Sequence, residues 1–403
     1  MKIVMLAHRF PPYTGGTPKR VFRISRGLSL RGHEVTVYTS IHPKAPRVQE
    51  VGSLRVVGCD PLHPSISRFI KLPYYAMPGM LRRLLGEDEA QDADVIQTFH
   101  FLSFVSFVGA CLKLLRRKAF SLAPIIMHHR RFMDGLRTAY GRRGIKAFLN
   151  ESCTMSYFLT AGIRIIRAAD LLTPQITQER DVLISYGVEP KRVRVIPGAI
   201  DVDLYARLPN PLQFRAKHSI RPDERLVLFV GQPTQWKGLH HLILAMGRVM
   251  RRIPRVRLVL VGPAAEKARR LLGLFGSPLV RSRTLITGPL YGRQLVSAYA
   301  SSDVFVLPSV GERFGTVIVE ALASGLPVVT TRTGVAPDVI VPGRNGLFVN
   351  YGDVSRLSEC IMRILSDESF RREAERGRGR ILREYSSQRE AELYERAYRD
   401  LLL

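Results

Sequence analysis

Cysteine is scarce in this chain of 403 residues. Its four cysteines stand far apart and form no C-x-x-C pair, which argues against a zinc-finger pattern and against a disulfide framework. So little cysteine is typical of a protein from a reducing compartment, and we expect a cytoplasmic location. The four are Cys59, Cys111, Cys153 and Cys360.

Long apolar runs are also missing. The longest, residues 99–112, contains His100 and two serines and is shorter than the ~20 residues that a membrane-spanning helix needs. The opening MKIVMLAHRF is too short for a secretory signal and predicts a first β-strand. Short repeats and low-complexity tracts are absent from the sequence, and a composition of 46% hydrophobic and 24% charged residues is that of an ordinary globular protein.

Acidic residues are in short supply as well. The chain has 61 Lys and Arg against 34 Asp and Glu, a net charge of +27, which favours an anionic partner such as a membrane surface, a nucleic acid or a phosphorylated substrate. Residues 113–146 hold ten of the basic side chains and a single acid, Asp134, and they follow the apolar segment FHFLSFVSF. Two interpretations stay open: a helix that rests on anionic lipid headgroups, or a core helix followed by a solvated basic loop.

Apolar runs of strand length alternate with helix-like segments along the whole chain, and this alternation predicts parallel sheets with crossover helices, an α/β architecture. A helix is predicted over 17–30. The predicted strands of a first cycle are KIVMLAH, EVTVYT, DVIQT, APIIMH and RVRVIP, and those of a second are RLVLFVG, VRLVLVG, RTLITG, DVFVLP and PVVTT. We therefore expect two Rossmann-like domains, residues 1–203 and 204–385, followed by an amphipathic helix over 386–403 that opens at a Ser-Ser cap.

The most informative stretch is 309–342, which contains two glutamates, Glu312 and Glu320, separated by seven residues. The pattern predicts a strand, a loop carrying Glu312, and a helix from 316 that stops at Gly325. Backbone N–H groups at the start of this helix, after Gly315, lack intrahelical acceptors and can bind phosphate or sugar oxygens. A loop carboxylate beside them can accept from sugar hydroxyls. The alternative is that both glutamates are ordinary surface residues.

Two further loops follow predicted first strands. In RFPPYTGGTPKR, Gly15 and Gly16 permit positive φ and a close approach of backbone to a ligand, Thr17 can cap the helix, and Pro18 fits its first turn. The loop lacks G-x-G-x-x-G, so a dinucleotide fingerprint is not supported. In VGQPTQWKGLHHLI, Lys237 can neutralise a diphosphate.

In combination, the E-x7-E spacing, the FG before the helix, SGLPVV after it, GRNGLFV and RGHEVTVYT resemble the retaining glycosyltransferases of family 4. The resemblance covers nearly the whole chain. It implies the GT-B fold, with two Rossmann-like domains facing a central cleft and a last helix that crosses back to the first domain. It further implies a nucleotide-sugar donor, transfer of a hexose-type sugar, and a glycan or lipid-linked acceptor. No metal is expected, because no DxD-like motif is placed to hold one.

The same resemblance assigns roles to individual residues. Glu312 would contact the donor sugar, Glu320 the nucleotide ribose, and Gly15 and Gly16 would lie near the diphosphate. The catalytic candidates are Glu312, Lys237 and His129. The donor-binding candidates are Gly15, Gly16, Gln232, Arg313, Phe314, Gly315, Thr316 and Glu320.

Two positions depart from the family pattern. Gln232 stands where an arginine is usual, so either Lys237 alone carries the positive charge, or Arg313 substitutes, or the activity is weak. Asp338 stands where glutamate is more common. His129 is assigned to the family's histidine near the sugar with an ambiguity of one residue, since His128 precedes it, and a hydrogen-bonded loop histidine is the alternative.

Competing functions explain less of the sequence. A glycosidase could use the two glutamates as acid and base, but this leaves the phosphate-binding loops unexplained. A basic nucleic-acid-binding protein would use the charge, yet no recognised module is visible and a nucleic-acid partner is not expected. A catalytically weakened family member is the more serious alternative. The predicted function is transfer from a nucleotide sugar, with the protein cytoplasmic and peripheral at an anionic membrane surface.

Overall fold

The computed structural model describes residues 1–13, 15–60, 77–86, 91–100, 103–124 and 158–403. These residues divide into two compact units, Met1–Ala199 with Ser387–Leu403, and Ile200–Ser386. Among the helices in the described ranges, none combines the length and the apolar character that a membrane crossing requires.

The first unit is built on a seven-stranded sheet in the order β3-β4-β2-β1-β5-β6-β7. Its strands are β1 Lys2–Leu6, β2 Glu34–Ser40, β3 Val48–Val51, β4 Leu54–Cys59, β5 Val95–Phe99, β6 Ala119–Ala123 and β7 Leu171–Leu172. All pairs are parallel except β3 with β4. The central β1 and β5 are buried along most of their length, as expected for parallel strands covered on both faces. The order of strands reverses between β1 and β5, so this unit has a topological switch point there.

Helices cover this sheet. They are α1 Gly16–Leu30, α2 Pro78–Gly86, α3 Phe104–Arg116, α4 Ile163–Ala168, which continues a π-helical turn at Phe158–Gly162, and α5 Thr177–Ser185. A 3-10 turn follows at Pro190–Arg192. In α1 the apolar spacing places Val21, Ile24 and Leu28 on one face, and all three are fully buried in the core beneath it.

The second unit contains a six-stranded parallel sheet in the order β10-β9-β8-β11-β12-β13. Its strands are β8 Arg225–Val230, β9 Val256–Val261, β10 Thr284–Gly288, β11 Val304–Leu307, β12 Val328–Thr330 and β13 Gly346–Phe348. The strand order reverses between β8 and β11. A second topological switch point therefore lies at the carboxyl ends of these two strands.

The helices of the second unit precede, connect or follow its strands. They are α6 Val202–Ala206, α7 Pro211–Lys217, α8 Leu239–Arg252, α9 Ala265–Phe275, α10 Pro278–Ser282, α11 Gly292–Ala300, α12 Thr316–Ala323, α13 Ala336–Val339, α14 Val354–Ser366 and α15 Ser369–Glu384. A 3-10 turn, Gln235–Lys237, precedes α8.

The last helix, α16 Ser387–Leu402, belongs to the first unit and packs on α1. A Cβ added at Gly27 of α1 would lie 2.6 Å from the Cβ of Ala391, so the absence of a side chain permits this close approach. The buried Arg20 donates from Nε to Glu390 Oε1 at 2.8 Å and from Nη2 to the hydroxyl of Tyr394 at 3.0 Å. Removing one partner of such a pair would leave an uncompensated buried charge.

A second carboxylate of α16, Glu395, lies beside two arginines, Arg399 and Arg31. Burial acts to raise the pKa of Glu395, but hydrogen bonds from Arg399 and Arg31 outweigh it and lower this pKa to about 2. Glu395 is thus ionised in the folded state throughout the physiological range.

The α/β prediction is confirmed, and β1, β2, β5 and the five strands of the second cycle lie in the predicted segments. RVRVIP was predicted as a strand but makes only one isolated bridge, Val193 to Leu172. Ile196 still donates to the carbonyl of Pro174 at 2.9 Å, but a proline has no N–H to donate in return, so the ladder stops. The strand placed at APIIMH is shifted: β6 ends at Ala123, and residues 125–128 lie outside the described residues. The strands β3, β4, β7 and β13 were not predicted.

Candidate functional site

The carboxyl ends of β8 and β11 form the switch point of the second unit. The loop after β8 carries Gln232 and Lys237, and the loop after β11 carries Glu312. Open α/β sheets bind their ligands at such points because neighbouring loops diverge there and leave a crevice. The amide of Val310 donates to the carbonyl of Trp236 at 2.8 Å and joins the two loops directly.

Lys237 and Glu312 meet across this switch point. The ammonium Nζ lies 2.8 Å from Oε1 and 2.7 Å from Oε2 of the carboxylate. The Glu312 side chain is 7% exposed and that of Lys237 is 28% exposed, so the pair is partly shielded from water. An ammonium has three hydrogens, and two bonds to Glu312 leave one for a further acceptor. Two of the predicted catalytic residues are therefore in direct contact.

Two glycines hold the loop of Glu312 in place. Gly238 has φ +67°, and a Cβ there would lie 2.0 Å from the carbonyl oxygen of Pro308. Gly334 has φ +58°, and a Cβ there would lie 2.4 Å from the carbonyl oxygen of Phe314 and 2.8 Å from the Cβ of Glu312. Because backbone packs directly on backbone, a side chain at either glycine would displace the Glu312 loop.

The helix α12 begins directly after this loop, as predicted. Its N-cap is Gly315, with φ +88°, and Gly325 beyond its end has φ +72°, the left-handed stop that the sequence predicts. The amide of Ile318 donates to the carbonyl of Gly315 at 2.9 Å, but a glycine cap has no side chain to accept from the amides of Thr316 and Val317, so these two and the positive end of the helix dipole can serve an external acceptor. Arg313 and Thr316 are exposed beside them, while Phe314 is buried.

Glu320 lies one turn further along α12 and is half-buried. Its Oε2 accepts a hydrogen bond of 2.9 Å from the hydroxyl of Tyr299, a fully buried residue of α11. Burial, and then the charge of Glu320, raise the pKa of Tyr299 well above its ordinary value and raise that of the buried Tyr205 as well. Both hydroxyls therefore stay protonated at physiological pH. The sequence around Tyr299 and Tyr205 does not indicate that either residue lies near Glu320.

The two positions that depart from the family pattern are both exposed. Gln232 lies at the start of the loop after β8, where its carbonyl accepts from the amide of Thr234 at 2.8 Å. Asp338 lies on α13. Burial of Tyr385 raises the pKa of its hydroxyl, and the charge of Asp338 raises that pKa further. Neither residue is part of the Lys237–Glu312 contact.

In the first unit the loop after β1 leads into α1. Gly15 has φ +138° and is the N-cap of α1, while Gly16 is its first residue. The prediction that Thr17 caps the helix is wrong, since α1 begins one residue before it and Thr17 lies within the first turn. Both glycines are exposed. His129, the third predicted catalytic residue, lies outside the described residues.

Two histidines that the sequence did not single out flank the switch point of the first unit. His8 and His100 each follow a strand, β1 and β5, and these strands pair in parallel with Leu6 opposite Thr98. Burial, with a smaller contribution from Arg9, lowers the pKa of His8 to about 4, so its imidazole is neutral at pH 7. His100 has a left-handed backbone, φ +75°. The sequence signal that could have found both residues is a histidine at the end of a predicted apolar strand, KIVMLAH for His8 and DVIQTFH for His100.

The helix α3 contains most of the apolar segment that was predicted to be either a core helix or a helix on a lipid surface. Its buried face includes Val105, Val108 and Leu112, but Leu114 and Leu115 are exposed next to Arg116 and the basic pair that follows. This helix is thus a core helix on one side and presents exposed leucines beside positive charge at its end. Most of the basic segment 113–146 lies outside the described residues.

Comparison with known proteins identifies two family profiles along the chain. The family described as "Glycosyltransferase Family 4" matches residues 14–204, and "Glycosyl transferases group 1" matches residues 212–378. Among curated relatives, an uncharacterized glycosyltransferase of Methanocaldococcus jannaschii is 29% identical over 381 residues, which cover 92% of this chain and 90% of the relative.

Solved structures share the fold over the full length. Sucrose-phosphate synthase from Thermosynechococcus elongatus has a TM-score of 0.78 at 23% identity and covers 100% of this chain and 99% of its own. The Anabaena protein HepE, determined in complex with UDP, has a TM-score of 0.73 at 18% identity and covers 99% of this chain and 100% of its own. These structures are GT-B glycosyltransferases, and the two family profiles together span most of the chain. The chain therefore belongs to the group 1 glycosyltransferases of the family 4 type, enzymes that transfer sugars from nucleotide-sugar donors.

Proposed function

We propose that this enzyme moves a hexose from a nucleoside diphosphate hexose to a glycan or lipid-linked acceptor and retains the configuration at the anomeric carbon. The observation that carries the proposal is the Lys237–Glu312 contact at the switch point of the second unit, beside the uncapped N-terminus of α12. One cation, one carboxylate and the first two amides of α12 match the charge and the hydroxyl groups of a sugar diphosphate.

Each part of the donor has a proposed partner. The diphosphate binds the third N–H of Lys237 and the first amides of α12, while the donor-binding role of Gly15 and Gly16 stays a prediction. The hexose hydroxyls donate to Glu312, and the ribose donates to Glu320. HepE has bound UDP, which makes uridine diphosphate sugars the first donors to test.

The chemistry follows from this placement. The bond between the anomeric carbon and the diphosphate oxygen breaks, and the acceptor oxygen forms its bond to that carbon on the same face. A diphosphate oxygen takes the acceptor proton, so neither a protein base nor a metal ion is required. Lys237 and the α12 amides stabilise the negative charge that develops on the leaving group, a contribution that commonly amounts to a factor of about 10²–10³ for one donor. His129 is proposed to lie near the sugar.

The departure at Gln232 bears on the strength of this stabilisation. A glutamine donates hydrogen bonds without charge, so Lys237 supplies the cation at this edge, with the exposed Arg313 as the second candidate. A catalytically weakened enzyme is the alternative that this residue favours. Such a protein would bind nucleotide sugars without transferring the hexose at an appreciable rate.

The acceptor is proposed to be presented at an anionic membrane surface. The net charge of +27 and the exposed Leu114 and Leu115 beside Arg116 support a peripheral attachment on the cytoplasmic side. We expect the protein to float with anionic liposomes at low salt and less so at high salt, because salt screens the attraction. No flotation at any salt concentration would exclude the membrane attachment.

The proposed reaction is tested with a panel of UDP-, GDP- and ADP-hexoses and membrane glycolipid extracts. Release of the nucleoside diphosphate is measured, and the anomeric proton of the product is read by NMR. We expect release with one nucleotide class and a product with the anomeric configuration of the donor. An inverted product would contradict the retaining mechanism, and nucleotide binding without any release would favour the weakened enzyme.

A further inference from the structure

The hydroxyl of Tyr299 donates a hydrogen bond to the carboxylate of Glu320. It lies 2.9 Å from Oε2 and also 3.4 Å from the carbonyl oxygen of Val317. The tyrosine is on α11 and its acceptors are on α12, so the contact joins two neighbouring helices of the second unit. With no exposed surface and its ring packed 5.8 Å from that of Phe305, Tyr299 has a fixed position.

We propose that Tyr299 is a positioning residue that orients Glu320 toward the ribose of the nucleotide, and that it thereby sets the preference of the enzyme for ribonucleotide over deoxyribonucleotide donors. This inference rests on the proposed role of Glu320. A glutamate side chain has three rotatable bonds, and freezing them costs conformational entropy. The hydrogen bond from a rigid tyrosine orders the Glu320 side chain in the free enzyme, so this entropy is not lost when the donor binds.

The chemistry of the carboxylate makes this orientation useful. A carboxylate only accepts hydrogen bonds and has about four lone-pair sites, so one bond to Tyr299 leaves capacity for a ribose hydroxyl. Hydrogen bonds to an ionised acceptor are the strong ones, and their strength depends on geometry. A half-buried carboxylate held in one direction therefore discriminates between a sugar that donates to it and a sugar that lacks the hydroxyl.

The tyrosine is suited to a donor role at all physiological pH values. Burial and the charge of Glu320 both oppose its ionisation, which leaves the hydroxyl protonated. Tyr205, also buried, lies close enough for the same charge to raise its pKa. Two buried phenols thus border the carboxylate, and one of them holds it by a hydrogen bond.

The chain offers a matched control. Tyr398 of the first unit is also fully buried, and its hydroxyl donates to the side-chain oxygen of Gln97 at 2.8 Å. Substituting Phe at either tyrosine removes one buried hydroxyl and one hydrogen bond of nearly the same length. A purely structural effect should therefore be similar in Tyr299→Phe and Tyr398→Phe.

The test is calorimetric titration of the full chain with UDP, GDP and ADP, and then with the 2′-deoxy and 3′-deoxy analogues of the nucleotide that binds. We expect the wild type to bind that nucleotide about tenfold more tightly than at least one deoxy analogue, the size of one hydrogen bond to a charged group. In Tyr299→Phe that preference should fall to about threefold or less, since the carboxylate is no longer held in one direction. In Tyr398→Phe it should be unchanged.

Each other outcome has a defined meaning. If Tyr299→Phe keeps the wild-type preference, or Tyr398→Phe loses it as well, the positioning role is overturned. If the wild type binds a ribonucleotide and its deoxy analogues equally, the proposed role of Glu320 fails, and if it binds none of the three ribonucleotides, the proposed donor site fails. A destabilised Tyr299→Phe is still informative, because the preference can then be read from the shift in urea midpoint that each nucleotide causes.

Discussion

Replacing Lys237 by methionine separates the two contributions that this residue makes. In the folded protein its ammonium lies 2.7–2.8 Å from both carboxylate oxygens of Glu312, whose side chain is only 7% exposed. Removing one partner of a fully buried pair costs about 3–5 kcal/mol of unfolding free energy. Because 28% of the Lys237 side chain is exposed, water can replace part of the lost interaction, and we expect a loss of about 1–3 kcal/mol.

Lys237→Met should affect the rate of sugar transfer more than it affects the unfolding free energy. Lys237 is the proposed cation on the leaving diphosphate, so Lys237→Met should lower the rate of transfer about 10²–10³-fold. Urea denaturation gives the stability, and donor-dependent release of nucleoside diphosphate gives the activity. Lys267→Met, a change at an exposed lysine of α9, is the matched control and should alter neither.

The double variant Lys237→Met/Glu312→Gln distinguishes mutual neutralisation from separate contacts with the donor. Removing both charges should restore stability to within about 1 kcal/mol of the wild type, because no uncompensated carboxylate remains. Activity should stay low, since both donor contacts are gone. Wild-type activity in the double variant, or transfer within threefold of the wild type in Lys237→Met alone, would refute the reasoning.

Three further changes give independent checks. Glu312→Ala should lower transfer by at least about tenfold while the circular dichroism spectrum stays native, and wild-type turnover would remove Glu312 from the site. Gly238→Ala should lower the unfolding free energy from urea denaturation by more than about 2 kcal/mol, because its Cβ would lie 2.0 Å from a backbone carbonyl oxygen and φ is positive. The control is Gly352→Ala, where φ is +86° but the nearest atom to the Cβ is 3.9 Å away. It should lose only about 1–2 kcal/mol, which is what a positive φ costs. Equal costs would contradict the close packing at Gly238. Glu395 has a depressed pKa of about 2, so its stabilisation is present above the unfolded pKa of about 4.5 and is lost as pH falls from 4.5 to 2. Glu395→Gln should flatten the pH dependence of stability in that window, and an unchanged slope would contradict the assignment.

The architecture was predictable because parallel strands buried on both faces appear as short apolar runs separated by helical segments. Strands at the margin of a sheet carry a weaker signal. The residues of β3 are mostly exposed and mix polar with apolar side chains, and β13 has three residues, so neither stands out from loop sequence. RVRVIP has the composition of a strand, but Pro174 in its partner segment has no N–H for a ladder, and that partner is not visible in RVRVIP itself.

The site was predictable where a motif encodes a local structure. The glycine that opens α12 and the one that ends it are both in the left-handed region that their positions require. Contacts between distant segments could not be derived: Lys237 meets Glu312 at a separation of 75 residues, and Tyr299 reaches Glu320 from another helix. Such pairs depend on which strands become neighbours in the sheet. The roles of these residues toward a donor stay predictions, as does that of His129.

The most direct test of the central claim is the stabilisation of the wild type and of Lys237→Met by UDP, GDP and ADP. A nucleotide at one hundred times its dissociation constant should add about 2.7 kcal/mol to the unfolding free energy. We predict that one nucleotide class stabilises the wild type by this amount and that Lys237→Met needs at least about tenfold more of it for the same effect. Equal stabilisation of both proteins would contradict the diphosphate site at Lys237, and no stabilisation of the wild type by any nucleotide would contradict the donor site in the second unit.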